Sequence, residues 1–169
     1  MPEGSPSTTL PAGWHWYEAK PAATDTNAGF KLGVPDGWQV HEGSNSLQYF
    51  VESPANATFF EIDLTPHTFS QMVPEAWYLA KETAQKGYFT GRADQTVRAV
   101  HIRNRPGAAW GFTWQQSGVG RTRALDLLYI AATTAGSQSY ALYMTAPDTA
   151  FNGNLHTFIE AVRTFQPVP

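Results

Sequence analysis

Four arginines and two tryptophans are the residues of this sequence best suited to bind a ligand. In chain order they are Arg103, Arg105, Trp110, Trp114, Arg121 and Arg123. A guanidinium binds carboxylate or phosphate through paired hydrogen bonds, and indole rings supply large apolar contact areas. If their strands are neighbours, the arginines gather at one end of a sheet and take a small anion or an acidic protein surface. If the tryptophans line a groove, they take a hydrophobic ligand. The alternatives are unconnected surface arginines and tryptophans packed beneath helices.

Residues that could support catalysis or hold a metal are few. Cysteine is absent, which excludes thiolate nucleophiles and cysteine-based metal sites. No Gly-x-Ser-x-Gly elbow occurs, so a hydrolase would have to use His67 or His101 with Asp63 or Asp126. Glu61, Asp63 and His67 form a tight carboxylate–histidine group, but alternation predicts a solvent-facing strand face with a cross-strand arginine partner rather than a metal. No catalytic residue, metal or cofactor is predicted.

Charge and hydropathy narrow the function classes further. The net charge is −3 over 169 residues, without the broad basic surface expected of a nucleic-acid binder. Residues 1–63 hold eight acidic residues and two lysines, whereas residues 92–123 hold six arginines and one aspartate. Cross-strand pairing of these two segments is one reading, and a basic face for an anionic partner is the other. No run of about 18 apolar residues occurs, so we expect membrane attachment only through a tether outside this sequence.

The elements that must position these residues are read from hydrophobic periodicity. Period-two segments separated by turn signals predict eight strands. They are Phe30–Val34, Trp38–Glu42, Leu47–Ser53, Thr58–Thr65, Thr96–Arg103, Ala108–Gln116, Thr122–Ala132 and Ser139–Thr145. The sequence Arg105-Pro106-Gly107 is predicted to be a hairpin turn, and Trp14 to Tyr17 to be an edge strand or an arm folded onto the body.

Two amphipathic helices complete the pattern. Val73, Ala76, Trp77, Ala80 and Ala84 form the apolar stripe of a helix over residues 73–86, which Gly87 ends. A second helix closes the chain, with Asp148 or Asn152 as its cap. Its apolar stripe consists of Phe151, Leu155, Phe158, Ile159 and Val162. Four strands, a helix, four strands and a helix predict an α+β fold, an antiparallel sheet flanked by two helices. Residues 14–169 form this single domain, after a disordered Pro/Ser/Thr-rich linker at residues 1–13.

The sequence resembles the PsbP/Mog1 superfamily. The resemblance rests on the motif from Gly29 to Trp38 (Gly-Phe-x-x-x-Val-Pro-x-Gly-Trp), the middle helix, the later strands and the closing helix with Arg163-Thr164-Phe165. The resemblance covers about residues 28–166. The superfamily includes the LpqN-type lipoproteins, and similar domains occur as extracellular sensor segments of actinobacterial serine/threonine kinases. It implies an α/β/α sandwich and a non-enzymatic role, and it supplies no catalytic or ligand residue to carry over.

The combined expectation is a binding module rather than an enzyme. We expect an extracytoplasmic accessory or sensor domain of a larger membrane-tethered protein such as a serine/threonine kinase, with a protein or a small anionic or hydrophobic ligand as partner. A cytoplasmic location is the alternative to the cell envelope. The alternative functions are a small hydrolase with a His/Asp pair and a homo-oligomeric structural domain, of which a homodimer is the simplest case.

Overall fold

The computed structural model describes residues 2–20, 29–55, 57–133 and 136–168. Parts of two predicted turns, at Asn56 and at Thr134–Ala135, lie outside these residues. The elements in chain order are β1 Trp14–Ala19, β2 Gly29–Pro35, β3 Gln39–Glu42, β4 Gln48–Glu52, β5 Phe59–Asp63, α1 Met72–Gln85, β6 Ala93–Ile102, β7 Arg105–Gln116, β8 Gly120–Thr133, β9 Gly136–Pro147, α2 Asp148–Thr164 and β10 Gln166–Val168.

The strands form two antiparallel sheets. The large sheet has seven strands in the order β3-β4-β5-β9-β8-β7-β6, and the small one has three in the order β1-β2-β10. The predicted fold class, an α+β fold with an antiparallel sheet and two helices, is confirmed. The prediction of one sheet is wrong, because β2 pairs with β1 and β10 and thereby forms a separate layer. Within the described residues, no acidic side chain of the first 63 residues pairs with an arginine of residues 92–123.

Helix α2 and the small sheet pack together on one face of the large sheet. This face is the main core, in which rings from the three layers touch: Phe158 of α2 lies 5.2 Å from Phe60 of β5, and Phe165 lies 5.7 Å from Phe30 of β2, between ring centroids. All four rings are at least 98% buried. The apolar stripe predicted for α2 therefore does face the sheet, with Phe151, Phe158 and Val162 buried.

Helix α1 packs on the opposite face, over β6, β7 and β8. Met72, Ala76 and Ala80 are buried against the sheet, whereas Trp77 is half exposed. The predicted stripe was thus correct for Ala76 and Ala80 and wrong for Trp77, because the face is centred on Met72 and Ala76. Gly87 follows the helix with φ +71°, as its role in ending the helix requires.

Neither predicted cap residue of α2 caps it. Pro147 is the N-cap and no side chain caps the first turn. Asp148 instead lies in the first turn, where a carboxylate is favourable next to the helix dipole, and it forms ion pairs with arginines of β8. Among the described residues, neither α1 nor α2 is long and apolar enough to cross a membrane.

The N-terminal segment contacts the body. Ser7 N donates to the carbonyl of Arg163 at 2.9 Å and Gly4 N to the Asn104 side chain at 3.3 Å. The Leu10 side chain occupies the space next to Gly33, where a Cβ atom would approach it to 2.6 Å. The composition predicts a disordered linker here; the structure gives residues 2–13 these contacts, without a helix or strand before Trp14.

Candidate functional site

One row of side chains crosses four neighbouring strands on the α1 face of the large sheet. Glu61 of β5 pairs with Tyr143 of β9, Tyr143 with Asp126 of β8, and Asp126 with Trp110 of β7. Directly paired residues of antiparallel strands point to the same face, so these four side chains lie side by side. We call Glu61, Tyr143, Asp126 and Trp110 the polar row.

Helix α1 covers only part of this face, and a pocket fills the remainder. The helix packs on β6 to β8, which leaves the β5 and β9 side of the polar row uncovered by a helix. The resulting pocket has a volume of about 440 Å³. Its lining comes from β4, β5, β7, β8, β9, α1 and the segments that flank α1, and all four members of the polar row belong to it.

Two carboxyl groups of the polar row lack the partners that buried carboxylates usually have. Asp126 is 93% buried and its Oδ1 atom has no hydrogen-bond partner in the structure. Burial, with Glu61 and Asp63 nearby, raises the pKa of Asp126 to about 8. Burial, with the Asp63 charge next to it, raises the pKa of Glu61 to about 7. Both groups therefore titrate near neutral pH rather than near pH 4.

Two further carboxyl groups of the pocket are bonded by the protein itself. Asp63 accepts hydrogen bonds from Gln48 Nε2 at 3.0 Å and from Thr65 N at 2.7 Å. Glu75, 2% exposed in the first turn of α1, accepts one from Phe69 N at 2.8 Å. Asp63 and Glu75 thus stabilise the end of β5 and the start of α1. The carboxyl groups without such donors are those of the polar row.

The prediction of a solvated β5 face is wrong. Glu61 lies between Phe50 and Tyr143 of the adjacent strands, so the expected cross-strand arginine is missing. The cause is tertiary: β9, which follows β5 in the chain only after α1 and three further strands, pairs with one edge of β5, and side chains of α1 also line the pocket. The face of β5 that carries Glu61 and Asp63 therefore forms a wall of the pocket instead of facing solvent.

The two predicted tryptophans both belong to the pocket. Trp110 is 3% exposed, Trp114 is partly buried, and both line it. Phe89, which follows α1, packs on the two rings with centroid separations of 6.4 and 5.3 Å. Neither indole Nε1 has a hydrogen-bond partner in the structure. The tryptophans therefore combine the two predicted alternatives, because they pack beneath α1 and also form a wall of the pocket.

The four predicted arginines are not brought together. Arg105 begins β7, whereas Arg121 pairs with Gln115 near the end of the same strand, about 30 Å away along the sheet at the usual rise per residue. Strands β7 and β8 are neighbours, as expected, but they are antiparallel and place the two arginine pairs at opposite ends. A single anion site that contains all four residues is excluded by this register. Ligand binding at either pair stays a prediction.

Arg103 has a structural role in the described contacts. The predicted hairpin turn at residues 105–107 is displaced, since Arg103 and Asn104 form the turn with φ of 54° and 60°, the conformation of a two-residue hairpin loop. The Arg103 guanidinium donates to the carbonyl oxygens of Val162, Arg163 and Phe165, and so binds the C-terminal end of α2. Its neighbour Arg105 is exposed.

Arg121 and Arg123 are paired with acidic residues. Asp148 accepts from Arg121 Nε at 3.0 Å and from Arg123 Nε at 2.7 Å, and Arg121 also contacts Asp94. These bonds lower the pKa of Asp148, with the Arg123 hydrogen bond as the largest cause. The charges of these two arginines are therefore largely neutralised by Asp148 in the first turn of α2 and by Asp94 of β6.

Of the residues named for a hydrolase, His67, Asp63 and Asp126 line the same pocket, but among the described residues no hydrogen bond or ion pair joins His67 to either aspartate. The His67 ring bonds to the backbone carbonyl of Tyr140 at 3.2 Å, and burial lowers its pKa despite the carboxylate of Glu75 at 3.8 Å. His101 lies on the edge strand opposite Pro106, four positions from the residue that pairs with Asp126. Across residues 2–20, 29–55, 57–133 and 136–168, no three His, Asp or Glu side chains are placed to hold a metal ion.

From the sequence alone, the members of the polar row are separate candidates, and their position side by side is not predicted. Glu61 was considered for metal binding, Asp126 for a triad and Trp110 for an apolar ligand, while Tyr143 was not considered. Alternation within β5 and β7 correctly places Glu61 with Asp63, and Trp110 with Trp114, on one face of each strand. Only the strand order could show that these faces are adjacent, and no local signal in the sequence specifies that order.

Comparison with protein families gives a direct match. A model of the serine/threonine kinase C-terminal domain matches residues 22–167. The chain belongs to this family. A search of curated protein sequences gave no significant match.

Solved structures similar to this kinase C-terminal domain establish the fold. LpqN of Mycobacterium tuberculosis, described as involved in cell envelope biogenesis, aligns with a TM-score of 0.61 at 12% identity over 92% of both chains. PsbP of Synechocystis sp. PCC 6803 aligns with a TM-score of 0.56 at 12% identity over 97% of this chain and 98% of that one. The Ran-binding protein Mog1p of Saccharomyces cerevisiae aligns with a TM-score of 0.53 at 10% identity over 91% of this chain and 96% of that one. The predicted PsbP/Mog1 resemblance is confirmed as a shared fold.

Proposed function

We propose that this domain is a ligand-binding sensor of a serine/threonine kinase and that the pocket beside α1 is its binding site. The observation that carries the proposal is that buried polar groups of the pocket lining lack hydrogen-bond partners. It is lined by Asp126 and two tryptophans whose buried polar atoms have no protein partner. Buried polar groups are normally paired, and a concave apolar site with a few polar groups is the usual form of a ligand site.

The kinase context supports a regulatory role for such a site. The chain belongs to the serine/threonine kinase C-terminal domain family, and in the proposed arrangement the ligand would act on a catalytic domain elsewhere in a parent kinase. We place the domain outside the cytoplasmic membrane. The Pro/Ser/Thr-rich N-terminal segment favours this location, as does the fold similarity to LpqN, whose description refers to the cell envelope.

A pocket-filling variant tests this function. We expect a fragment library, screened by ligand-observed NMR, to give binders that also shift the indole resonances of Trp110 and Trp114. Ala141→Phe introduces a ring into the pocket wall and should abolish that binding. Ala99→Phe, on the exposed edge strand β6, is the matched control and should leave it unchanged. Absence of any binder at the two indoles would reject the pocket as a sensor site.

Regulation and location need separate measurements on the parent kinase. Addition of a pocket binder to membranes that contain the full-length kinase should change its autophosphorylation, and Ala141→Phe should remove the response. Labelling of intact cells with a membrane-impermeant reagent, at a cysteine introduced at the exposed position Glu18, should modify the domain. Labelling only after lysis would place it in the cytoplasm.

Self-association is a second candidate function, favoured by the outer surface of α1. Trp77 is 50% exposed, and Phe69 and Tyr78 are 43% and 37% exposed with their rings in contact at 5.6 Å. Three exposed aromatic side chains near one helix are more typical of an interface than of free surface. A second copy of this chain is the occupant to test. Sedimentation equilibrium should show a dimer that Trp77→Ser dissociates; a monomer in both cases would remove this candidate.

A further inference from the structure

The lining of the pocket is rich in acidic side chains. Glu61, Asp63, Glu75 and Asp126 line it, and no lysine or arginine does so among the described residues. His67 is the basic side chain of the lining, and its pKa is lowered by burial. The uncompensated charge disfavours an anionic ligand, since like charges in a partly dehydrated site repel strongly.

The four carboxyl groups divide into two that the protein satisfies and two that it does not. Asp63 has two hydrogen-bond donors and Glu75 has one. Asp126 Oδ1 is buried without a donor, and no donor among the described residues reaches Glu61. Glu61 and Asp126 lie on either side of Tyr143 in the polar row, about 10 Å apart by strand spacing. A donor-rich group bound next to Tyr143 would supply the donor that Asp126 Oδ1 lacks.

The walls around these carboxyl groups are aromatic. Phe59, Tyr143, Trp110 and Trp114 line the pocket. The face of an aromatic ring attracts a cation, most strongly in tryptophan. Trp110 already interacts in this way with the protein, because the guanidinium carbon of Arg92 lies 5.7 Å from its ring centroid. The unpartnered indole N–H groups are donors suited to an uncharged oxygen on the same ligand.

We propose that the pocket binds a small organic cation, an ammonium or guanidinium group on an apolar body, with its charge beside Asp126 and Glu61. This inference rests on the proposed function of the pocket. A metal ion fits the site less well, because no three ligating side chains converge in the part of the chain that the structure describes. The aromatic walls would also leave a metal ion without ligands on most sides.

The buried carboxyl groups make binding of such a cation depend on pH. The groups that face Asp126 are Glu61 and Asp63 from β5, Tyr143 from β9, Trp110 from β7, and Glu75 of α1 with His67 beyond them. Because the pKa values of Glu61 and Asp126 are raised to about 7 and about 8, both hold protons at mildly acid pH. A cation favours their ionised forms, so its affinity should rise with pH, by up to about tenfold per pH unit for each proton released.

The test uses three aromatic probes of similar size and different charge. Benzamidinium is a cation with N–H donors, benzyl alcohol is neutral and benzoate is an anion at the pH values used. Each is titrated into the full chain while the indole resonances of Trp110 and Trp114, assigned with Trp→Phe variants, are followed by NMR. We expect the cation to shift both resonances saturably, with at least about tenfold higher affinity than benzyl alcohol, and benzoate to cause no shift.

Charge-removing variants separate the role of the carboxyl groups from that of the pocket. Glu61→Gln with Asp126→Asn should weaken cation binding at least about tenfold, abolish its pH dependence and leave benzyl alcohol binding unchanged. Both substitutions remove a buried ionisable group, so we expect the variant to fold. Glu18→Gln, an exposed carboxyl of β1 in the small sheet, is the matched control and should change nothing.

The outcomes distinguish this inference from the proposed function. If benzyl alcohol or benzoate binds as tightly as the cation, or if the double variant keeps full cation affinity, the cation inference is overturned and the pocket survives as a binding site. If none of the three probes moves either indole resonance, the cation inference is overturned as well. A failure of the whole fragment library at the two indoles would then reject the sensor pocket itself.

Discussion

The two faces of the large sheet differ in what one cross-strand row contains. On the α2 face, Ile62, Leu142, Leu127 and Ala109 pair across β5, β9, β8 and β7 and are at most 2% exposed. One residue along, on the α1 face, the same four strands place the polar row.

This difference follows from how each face is covered. Helix α2 and the small sheet together cover their side, so that apolar side chains fill it completely. Helix α1 alone covers the other side and leaves a pocket. Buried carboxyl groups without partners reduce stability, and the domain concentrates them on the incompletely covered face. The comparison indicates that one face provides stability and that the other tolerates groups that reduce it.

The largest effect should come from the packed face. Phe158→Ala removes a ring that is 2% exposed and contacts Phe60, and we expect a loss of about 3–5 kcal/mol in the free energy of unfolding. Urea denaturation followed by circular dichroism measures it. A loss below about 1 kcal/mol would show that α2 does not seal this core.

The end of α2 should be the next most sensitive position on that side. Arg103→Ala removes the guanidinium that bonds to carbonyls at the C-terminus of α2, and should cost about 1.5–3 kcal/mol. Arg105→Ala, at the exposed neighbouring arginine, is the control and should change stability little. Equal effects of the two variants would contradict the structural role of Arg103.

On the pocket face, removal of a charge should stabilise the domain. The pKa of Asp126 is raised to about 8, so the folded state keeps a proton that the unfolded chain loses near pH 4. The free energy of unfolding therefore falls as pH rises between these two values. Asp126→Asn should gain about 1–2 kcal/mol above pH 8 and nothing below pH 4.

A pH series of urea unfolding curves measures this gain. Asp36→Asn, at an exposed carboxyl near His15, is the control and should not reproduce the gain at high pH. A gain for Asp126→Asn that is independent of pH would show that the aspartate is not protonated in the folded state.

The smallest effect should come from an apolar truncation beside the pocket. Leu79 of α1 is partly buried and lines the pocket, so Leu79→Ala enlarges an existing space rather than creating a cavity. We expect a loss of about 1 kcal/mol, below the range for fully buried leucine. A loss comparable to that of Phe158→Ala would mean that the two faces are equally packed, and the comparison would fail.

The sequence by itself determined the local structure of this protein. Alternation and helical periodicity depend on neighbouring residues, and they placed both helices, the eight main strands and the use of Gly87 at the end of α1. The order of the elements and the Gly29–Trp38 motif also led to the correct fold class and to the fold shared with LpqN, PsbP and Mog1p.

Only the tertiary structure decided which faces meet. The pairing of β5 with β9, the separate sheet around β2 and the opposite ends of the two arginine pairs all depend on contacts between residues far apart in the chain. Such contacts depend on the packing free energy of the whole chain, for which no local pattern carries a signal. Glu61, Tyr143, Asp126 and Trp110 became one site for the same reason: the hydrogen bonds between strands, and not their order along the chain, made them neighbours.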